Sequence, residues 1–298
     1  MRLWRSLLFV PANQQRMHDK VASLPADGFI FDLEDTVPAA EKANARAMTT
    51  ESIARLPADR SWIRVNALDS GFLHEDLEHF VGVPKMRGFV VPKQDSVGDI
   101  AAVDRMLTSL EVRRGLAPGS TPVIAMIESA AGVMSAREIF SSCKRIESGM
   151  YAGGEDGDMN VSLGAVWSSE GPEMMFVRQM TFVAARAANI RFPLEAVFSN
   201  IRDTEGFRRD TLLSRRLGYR GRAVIHPTQI EIANEVYTPT TAEVDYAMRV
   251  IAAYQEALTR GIGSTTVDGK LVDIAMVKTA QNLLDLAAAI KRDNCQAS

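Results

Sequence analysis

The sequence contains almost no cysteine. Cys143 and Cys295 are the only two in 298 residues, and they lie far apart and outside any C-x-x-C pair. Disulfide frameworks and zinc clusters need several cysteines at close spacing, so neither is expected here. Such cysteine usage is typical of a reducing compartment, and we predict a cytoplasmic protein.

The sequence also lacks a strong charge imbalance and a long apolar run. Its formal net charge is −3, with 46% hydrophobic and 24% charged residues. A nearly neutral chain lacks the basic surface that binds nucleic acids or membrane surfaces. No apolar segment reaches the roughly 20 residues of a bilayer span, and the first apolar run stops at Pro11 without a small-residue cleavage site. We therefore predict no nucleic-acid partner, no membrane partner and no signal peptide.

Short apolar runs rich in Val, Ile and Phe recur along most of the chain. They predict strands at 6–12, 28–35, 62–68, 88–94, 122–129, 149–156, 195–200 and 222–229. Stretches with apolar residues three and four apart lie between most of them and predict helices. This alternation is the pattern of an α/β protein with a (β/α)8 TIM barrel. A doubly wound open sheet is the alternative, because the helix after the third run is short.

We assign residues 1–236 to the barrel as the catalytic domain. Residues 237–298 form a C-terminal helical extension that is too small to be an independent domain. Its segment GIGSTTVDGKLVD, residues 261–273, has the glycine content of a mobile lid.

Polar side chains end nearly every predicted strand. In FIFDLEDTVP, residues 29–38, an apolar run leads directly into three carboxylates. Active sites of (β/α)8 barrels lie at the carboxyl ends of the strands, where such residues converge. The candidates are Asn13, Asp32, Glu34, Asp35, Arg64, Asn66, Lys93, Glu128, Asp156, Asn200 and His226. Asn13 and Asn200 are explained equally well as helix caps, and His226 equally well by a structural hydrogen bond.

Glu128 and Asp156 end the fifth and sixth predicted strands, so they are expected to converge at the barrel mouth. Two carboxylates without a nearby His or Cys are hard oxygen ligands that suit Mg²⁺. The glycines of YAGGEDG, residues 151–157, let the backbone come close to a ligand. Alternatively, Glu128 is a salt-bridge partner and Asp156 a helix cap.

Nine motifs along the chain carry a family resemblance. They are RSLLFVPAN, FDLEDTVPAAEKANAR, IRVNA, VVPK, MIESAAGV, GGEDGDMNVSLGA, AARAANI, GYRGRAVIHPTQI and DGKLVDIAMVKTAQNLL. In this order they resemble the HpcH/HpaI aldolase superfamily, and within it the citrate lyase beta-subunit-like branch with its malyl-CoA and citramalyl-CoA lyases. The resemblance implies a TIM barrel, a Mg²⁺ cofactor, acyl-CoA and keto-acid substrates, and cleavage or formation of a carbon–carbon bond. It also implies a homo-oligomer, a trimer or a hexamer.

The resemblance assigns roles position by position. Glu128 in MIES and Asp156 in GGED match the two metal ligands, and Arg64 in IRVN matches the arginine that binds the keto acid. Asp273 in KLVDIAMV matches an aspartate that related enzymes deliver from a C-terminal lid to a neighbouring subunit's site. The resemblance thus makes Arg64 and Asp273 catalytic residues, together with the acidic pair Glu34 and Asp35.

The acidic pair and the pocket residues are matched in the same way. Glu34 and Asp35 match the acidic pair of DLED, and Asp35 stands where related pyruvate aldolases have a histidine base. The residues in motifs that line the pocket or contact CoA are Arg5, Asn13, Lys93 and His226. Two departures concern the shape of the pocket: Ala12 replaces the glycine of VPGN, and GEDGDMNVSLG replaces the more typical ED-x-A-A-D-L-G.

Two other functions stay open on this sequence. The chain could be the beta subunit of a citrate lyase complex that acts on a carrier-protein thioester, or a catalytically silent barrel that binds CoA or a partner enzyme. Among the remaining polar residues, Asp32 is interpreted as bracing neighbouring backbone or Lys42. His18, His74 and His79 are interpreted as solvated residues on helices.

Overall fold

The computed structural model describes residues 2–155, 157–168 and 170–297. The chain divides into two compact units, Met1–Glu235 and Val236–Ser298. Each unit contains an apolar cluster of its own. The division falls one residue before the end of the segment assigned to the barrel from sequence.

The first unit contains a seven-stranded parallel sheet. Its strands are β1 (Ser6–Pro11), β2 (Gly28–Asp32), β3 (Ser61–Arg64), β4 (Met86–Val91), β5 (Val123–Ile127), β6 (Ile146–Tyr151) and β7 (Arg222–Val224). Their order in the sheet is β6-β5-β4-β3-β2-β1-β7. Each strand overlaps one of the predicted runs, so seven of the eight predicted strands are confirmed.

Helices follow the strands along the chain. They are α1 (Gln15–His18), α2 (Lys42–Arg55), α3 (Leu73–Phe80), α4 (Val97–Arg113), α5 (Ala130–Ser141), α6 (Asp158–Leu163), α7 (Met175–Ala187), α8 (Thr204–Leu217) and α9 (Pro227–Tyr237). Strands β2 and β5 are buried at every position, as expected for a parallel sheet covered on both faces. The strand–helix alternation predicted from sequence is therefore present.

The remaining predicted strand, residues 195–200, does not form. The chain at this point makes only two isolated parallel bridges, from Leu194 to Met150 of β6 and from Glu195 to Arg222 of β7. These bridges join the segment to both edge strands of the seven-stranded sheet. The observed architecture is thus a seven-stranded parallel sheet with a short bridging segment between its edges.

The apolar cluster of the first unit draws residues from every strand of the sheet. Its buried members are Trp4, Leu7, Ile30, Trp62, Val90, Ile124, Met126, Met150, Leu194 and Ala223. Gly221 allows the chain that enters β7 to lie against the start of β1, because a Cβ there would stand 1.6 Å from the carbonyl oxygen of Trp4. Only glycine tolerates so close a backbone approach.

The second unit is built from two helices and a hairpin. After α9 come α10 (Thr241–Thr259), the antiparallel strands β8 (Thr265–Val267) and β9 (Lys270–Val272), and α11 (Ile274–Ala297). Asp268 and Gly269 make the hairpin turn with positive φ angles of 49° and 75°, and both nitrogens of the Arg249 fork donate to Asp268 at 2.7 and 2.8 Å. The predicted helical extension therefore includes a hairpin tied to α10, and its action as a lid stays a prediction.

Within the described ranges, no helix is long and apolar enough to cross a membrane.

Candidate active site

A cavity of about 380 Å³ lies at the carboxyl ends of the parallel strands. The residues that line it are Phe9, Pro11, Asp32, Asp35, Thr36, Arg64, Met126, Glu128, Met150, Tyr151, Ala152, Gly154, Gly157, Asp158, Val197 and Ile225. A second cavity of about 440 Å³ shares Glu128 and Asp158 with it and adds Lys93 and the loops after β3 and β4. Carboxylates and cations therefore meet where the sequence predicted a site.

The acidic turn after β2 is held by its own side chains. Asp32 ends the strand, and its Oδ1 accepts the backbone N–H of Glu34 at 3.0 Å. Its Oδ2 accepts the hydroxyl of Thr36 at 2.8 Å. These bonds turn the chain sharply, so the carboxylates of Glu34 and Asp35 follow directly at the strand end.

Arg64 ends β3 beside Asp32, because the two residues are register partners in the sheet. Its Nε and Nη2 donate to the two oxygens of Asp32 at 2.7 Å each, and its Nη1 lies 3.0 Å from Glu34 Oε2. The ring of Phe9 covers the guanidinium at 5.1 Å. Burial by itself would lower the pKa of Arg64, but the carboxylates of Asp32 and Glu34 raise it, so Arg64 stays charged.

The prediction that Asp32 braces neighbouring backbone or Lys42 is confirmed for the backbone, and the ion-pair partner of Asp32 is Arg64. Burial would raise the pKa of Asp32, but the charge and hydrogen bonds of Arg64 hold it below its ordinary value. Asp32 is therefore ionised and fixes the orientation of the arginine.

Lys93 follows β4 with a φ of 52°, a left-handed conformation that is uncommon for a residue with a side chain. Its ammonium lies 3.1 Å from Glu34 and 3.4 Å from Asp158. Burial opposes the charge, but the neighbouring carboxylates, Glu34 first, raise the pKa of Lys93. Glu34 thus stands between the two cations Arg64 and Lys93.

Glu128 follows β5 and is only 4% exposed. Burial raises its pKa to about 8, and the charge of Glu34 and a hydrogen bond with Asp158 act in the same direction, whereas Arg64 opposes them. A buried carboxylate crowded by other carboxylates is a place where a bound cation offsets repulsion.

The chemistry of the cavity lining fits Mg²⁺. Glu128 offers hard oxygen donors, and none of the described residues that line the cavity is a His or Cys, the ligands that favour softer metals. In the part of the chain that the structure describes, no three His, Cys, Asp or Glu side chains form a metal-binding group. Mg²⁺ usually takes one or two carboxylates and keeps several waters. Asp156, the second predicted ligand, lies outside the described residues.

The structure brings five of the predicted site residues together: Glu34, Asp35, Arg64, Lys93 and Glu128.

Two further predicted residues lie just after strand ends. Asn13 follows β1 and donates to Glu41, and His226 follows β7 with its Nδ1 2.9 Å from the hydroxyl of Thr228. Their chain neighbours Pro11 and Ile225 line the cavity. Asn13 and His226 therefore lie close to the edge of the cavity, and their side chains are hydrogen-bonded to Glu41 and Thr228.

The structure does not bring Arg5 to this cavity. Arg5 precedes β1, at the opposite end of the strand, and its Nε and Nη2 donate to Asp27 at 2.9 and 2.7 Å. Asp273 belongs to the second unit, where its Oδ1 accepts the backbone N–H of Ala275 at 2.8 Å at the start of α11. Its proposed catalytic role stays a prediction.

One residue of the site was not identified from sequence, and one histidine was misinterpreted. Asp158, the first residue of α6, lines both cavities and contacts Lys93 and Glu128. Its signal was the departure GEDGDMNVSLG, in which the next carboxylate comes two positions after the expected metal ligand and not four. His18 is 2% exposed and bonds Ser52 at 2.7 Å, so the prediction that it is solvated is wrong.

The fold and site define an α/β protein whose parallel strands end at an acid-rich ligand cavity. Residues 5–227 match the model of the HpcH/HpaI aldolase/citrate lyase family, and the chain belongs to this family.

Similar proteins of two kinds are known. The chain is 36% identical to the citrate lyase subunit beta of Leuconostoc mesenteroides subsp. cremoris, over 97% of this chain and 94% of that protein. It is 33% identical to the (3S)-malyl-CoA thioesterase of Cereibacter sphaeroides, over 96% and 95% of the two chains. The structure is similar to that of protein CitE from Mycobacterium tuberculosis in complex with magnesium, acetoacetate and coenzyme A. That comparison has a TM-score of 0.77 and 28% identity, and covers 96% of this chain and 98% of that one.

Proposed function

We propose that this protein is a Mg²⁺-dependent carbon–carbon lyase that cleaves or forms a 3-hydroxyacyl-CoA, such as malyl-CoA, citramalyl-CoA or citryl-CoA. Its products are a keto acid and an acyl-CoA. The observation that carries the proposal is that Arg64 and Lys93 line two cavities that share Glu128 and Asp158. Family membership and similarity to a CitE structure that contains magnesium, acetoacetate and coenzyme A support it.

Glu128 and Asp156 would hold the ion. Bound there, Mg²⁺ would act as a Lewis acid for the oxygen on which negative charge develops, an effect worth several kcal/mol. Arg64 would bind the carboxylate of the keto acid through the side of its guanidinium that Asp32 does not contact, beside the carboxylate of Glu34. Because Asp32 holds that guanidinium rigidly, the positive charge is already oriented before the substrate enters.

In the cleavage direction a base takes the proton of the substrate hydroxyl, the hydroxyl oxygen becomes the carbonyl of the keto acid, and the C2–C3 bond breaks. The electron pair of that bond passes to the acyl-CoA as an enolate, which then takes up a proton on carbon. In the reverse direction a base must remove that carbon-bound proton, and Asp273 is the candidate. Delivered by a lid from a neighbouring subunit, it would also keep water away from the enolate.

We also propose that the first unit is a closed (β/α)8 barrel and that the protein is a homotrimer or hexamer. The two bridges at Leu194 and Glu195 support closure, because they link the segment to both edge strands. Oligomerisation follows from the proposed sharing of Asp273 between subunits.

The second candidate function is that of a beta subunit in a citrate lyase complex, acting on a carrier-protein thioester. Its support is the 36% identity with the citrate lyase subunit beta of Leuconostoc mesenteroides. A thioesterase is a further candidate, because another similar protein is named a malyl-CoA thioesterase. It would break the C–S bond of the thioester with water and leave the C2–C3 bond intact.

The test is a product assay with purified protein, Mg²⁺ and malyl-, citramalyl- or citryl-CoA. The proposal expects an acyl-CoA and a keto acid in equal amounts. Free CoA with an intact hydroxy acid would identify a thioesterase. Cleavage only of a carrier-protein thioester would favour the second candidate, and no turnover of any thioester would overturn the lyase proposal.

A further inference from the structure

Lys42, the first residue of α2, is a buried cation outside the cavity lining. It is 7% exposed, and its ammonium donates to the carbonyl oxygens of Leu33 at 2.7 Å and Glu34 at 3.1 Å. Its third partner is Asn66 Oδ1 at 2.5 Å. An ammonium has three donors, so all of its hydrogen-bonding capacity goes to these two segments.

The acceptor Asn66 is itself held firmly. Its backbone N–H and its Nδ2 both donate to Asp76 Oδ2, at 2.9 and 2.6 Å. Arg46 Nε donates to the other oxygen of Asp76 at 2.8 Å, and Asp76 is fully buried. Lys42 therefore ties the turn after β2 to a rigid anchor made by the end of β3 and by α3.

Lys42 holds the backbone of Glu34, and the side chain of Glu34 is the central carboxylate of the site. Glu34 reaches Arg64 Nη1 at 3.0 Å and Lys93 Nζ at 3.1 Å, so a shift of its backbone moves the group between both cations. The carbonyl of Glu34 also accepts the N–H of Val37 at 3.2 Å, which makes this turn a compact unit with Lys42 as its outside support.

We propose that Lys42 is a positioning residue that fixes the turn of residues 33–36, and through it the carboxylate of Glu34 between Arg64 and Lys93. Its effect on turnover rests on the proposed function; its effect on the turn does not. A lysine that served only the stability of the fold would show no special coupling to Glu34.

The first test measures the turn directly by hydrogen exchange and mass spectrometry. Lys42→Met removes the charge but keeps the length of the side chain, so amide exchange of Glu34 to Val37 is expected to rise about tenfold or more as the turn opens locally. Leu107→Ala, which truncates a fully buried residue of α4, is the control: it lowers the melting temperature without raising exchange in this turn. Unchanged exchange of the turn in Lys42→Met overturns the proposal, whatever the activity.

The second test is a double-mutant cycle of Lys42→Met and Glu34→Gln, read as kcat/KM with the thioester that the wild type cleaves. We expect Lys42→Met alone to lower kcat/KM roughly 10- to 100-fold, and to lower it by less than about threefold when Glu34→Gln is already present. Equal effects in both backgrounds overturn the coupling.

Lys42→Arg is expected not to rescue, because a planar fork cannot reach three converging acceptors. A wild type without turnover refutes the proposed function, and the exchange result then decides the role of Lys42.

Discussion

At the scale of single residues, the pairing of Arg64 with Asp32 shapes the site. Both side chains are buried, and the two parallel hydrogen bonds of 2.7 Å leave the arginine little freedom. A buried charge pair is strongly destabilised when one partner is removed. The conservative exchange of the arginine is therefore more informative than its truncation.

We expect Arg64→Lys to lower kcat/KM about 100-fold, because an ammonium cannot make the two bonds to Asp32 and also present a donor to the keto acid. This corresponds to about 3 kcal/mol of lost binding in the transition state. Arg208→Lys is the matched control, since Arg208 also makes a two-pronged pair, with Glu235 at 2.8 and 2.7 Å, away from the cavity lining. Turnover near that of the wild type in Arg64→Lys would show that only the charge matters.

The metal assignment is tested by Mg²⁺ titration calorimetry. Glu128→Gln and Asp156→Asn should each weaken Mg²⁺ binding at least about 100-fold. Loss of a residue that only orients a metal ligand already lowers metal affinity roughly 10- to 100-fold, so loss of a ligand itself should cost at least as much. Burial disfavours the charged form of Glu128, so Glu128→Gln should not lower the melting temperature. Glu155→Gln, at an exposed neighbour of Asp156, is the control. Undiminished binding in both ligand variants rejects the assignment.

At the scale of elements, residues 195–200 show why a strand-like sequence need not become a strand. Here side chains donate hydrogen bonds to backbone carbonyls that would otherwise pair with a neighbouring strand. Arg222 Nη2 donates to the carbonyl of Ala196 at 2.8 Å, and Gln229 Nε2 donates to that of Phe198 at 3.0 Å. A buried carbonyl needs a hydrogen-bond donor, but that donor can be a side chain as well as backbone. The carbonyls of Ala196 and Phe198 are therefore hydrogen-bonded without regular strand pairing.

Helix α1 is anchored to α2 by a titratable group. His18 Nδ1 lies 2.7 Å from the hydroxyl of Ser52 and its Nε2 lies 3.2 Å from the carbonyl of Pro11. Burial lowers the pKa of His18 below its ordinary value of 6.5. As the pH falls, the histidine therefore takes up a proton in the unfolded chain before it does so in the folded protein. The stability that neutral His18 contributes is full above pH 6.5 and is lost as the pH falls below it.

We expect His18→Gln to reduce the loss of unfolding free energy between about pH 7 and pH 5, because the variant has no group to protonate at this position. Urea unfolding at several pH values measures this slope. His74→Gln, at an exposed position, should keep the slope of the wild type. Parallel curves for the wild type and His18→Gln would contradict the assignment.

At the scale of the whole molecule, the two units carry different parts of the proposed mechanism. The metal and keto-acid residues belong to the first unit, whereas Asp273 belongs to the second. Asp273 also begins α11, where its side chain accepts the N–H groups of Ala275 and Met276. Asparagine caps helices as well as aspartate does, so Asp273→Asn removes the charge without removing the cap.

We expect Asp273→Asn and Glu128→Gln each to abolish condensation, and a mixture of the two to recover part of the activity after subunits exchange. In such a mixture some sites combine an intact metal site with an intact Asp273 from a neighbour. Subunit exchange is verified by mass spectrometry. Asp273→Ala should in addition lose about 1 kcal/mol of stability, the typical cost of a lost cap.

No recovery after verified exchange would rule out a site shared between subunits. Asp273 would then act within its own chain or take no part in catalysis.

Much of the site was predictable because its chemistry follows directly from local pattern. Glu34, Arg64, Lys93 and Glu128 come at or just after buried runs, and the carboxyl ends of parallel strands meet at one edge of the sheet. The place of these residues in the fold needs only the strand assignments. Asp158 was missed because it lies on α6, inside a segment that departs from the family pattern.

The sequence by itself determined the alternation of strands and helices, the family, and which polar residues stand at strand ends, since all of these depend on periodicity and short motifs. Only the tertiary structure decided which charges meet. The partner of Asp32 is Arg64 and not Lys42 because strand register places the first two side by side, and His18 is buried because α2 packs over it. Such pairings join residues roughly 30 positions apart, and their geometry depends on packing, which no local stretch of sequence contains.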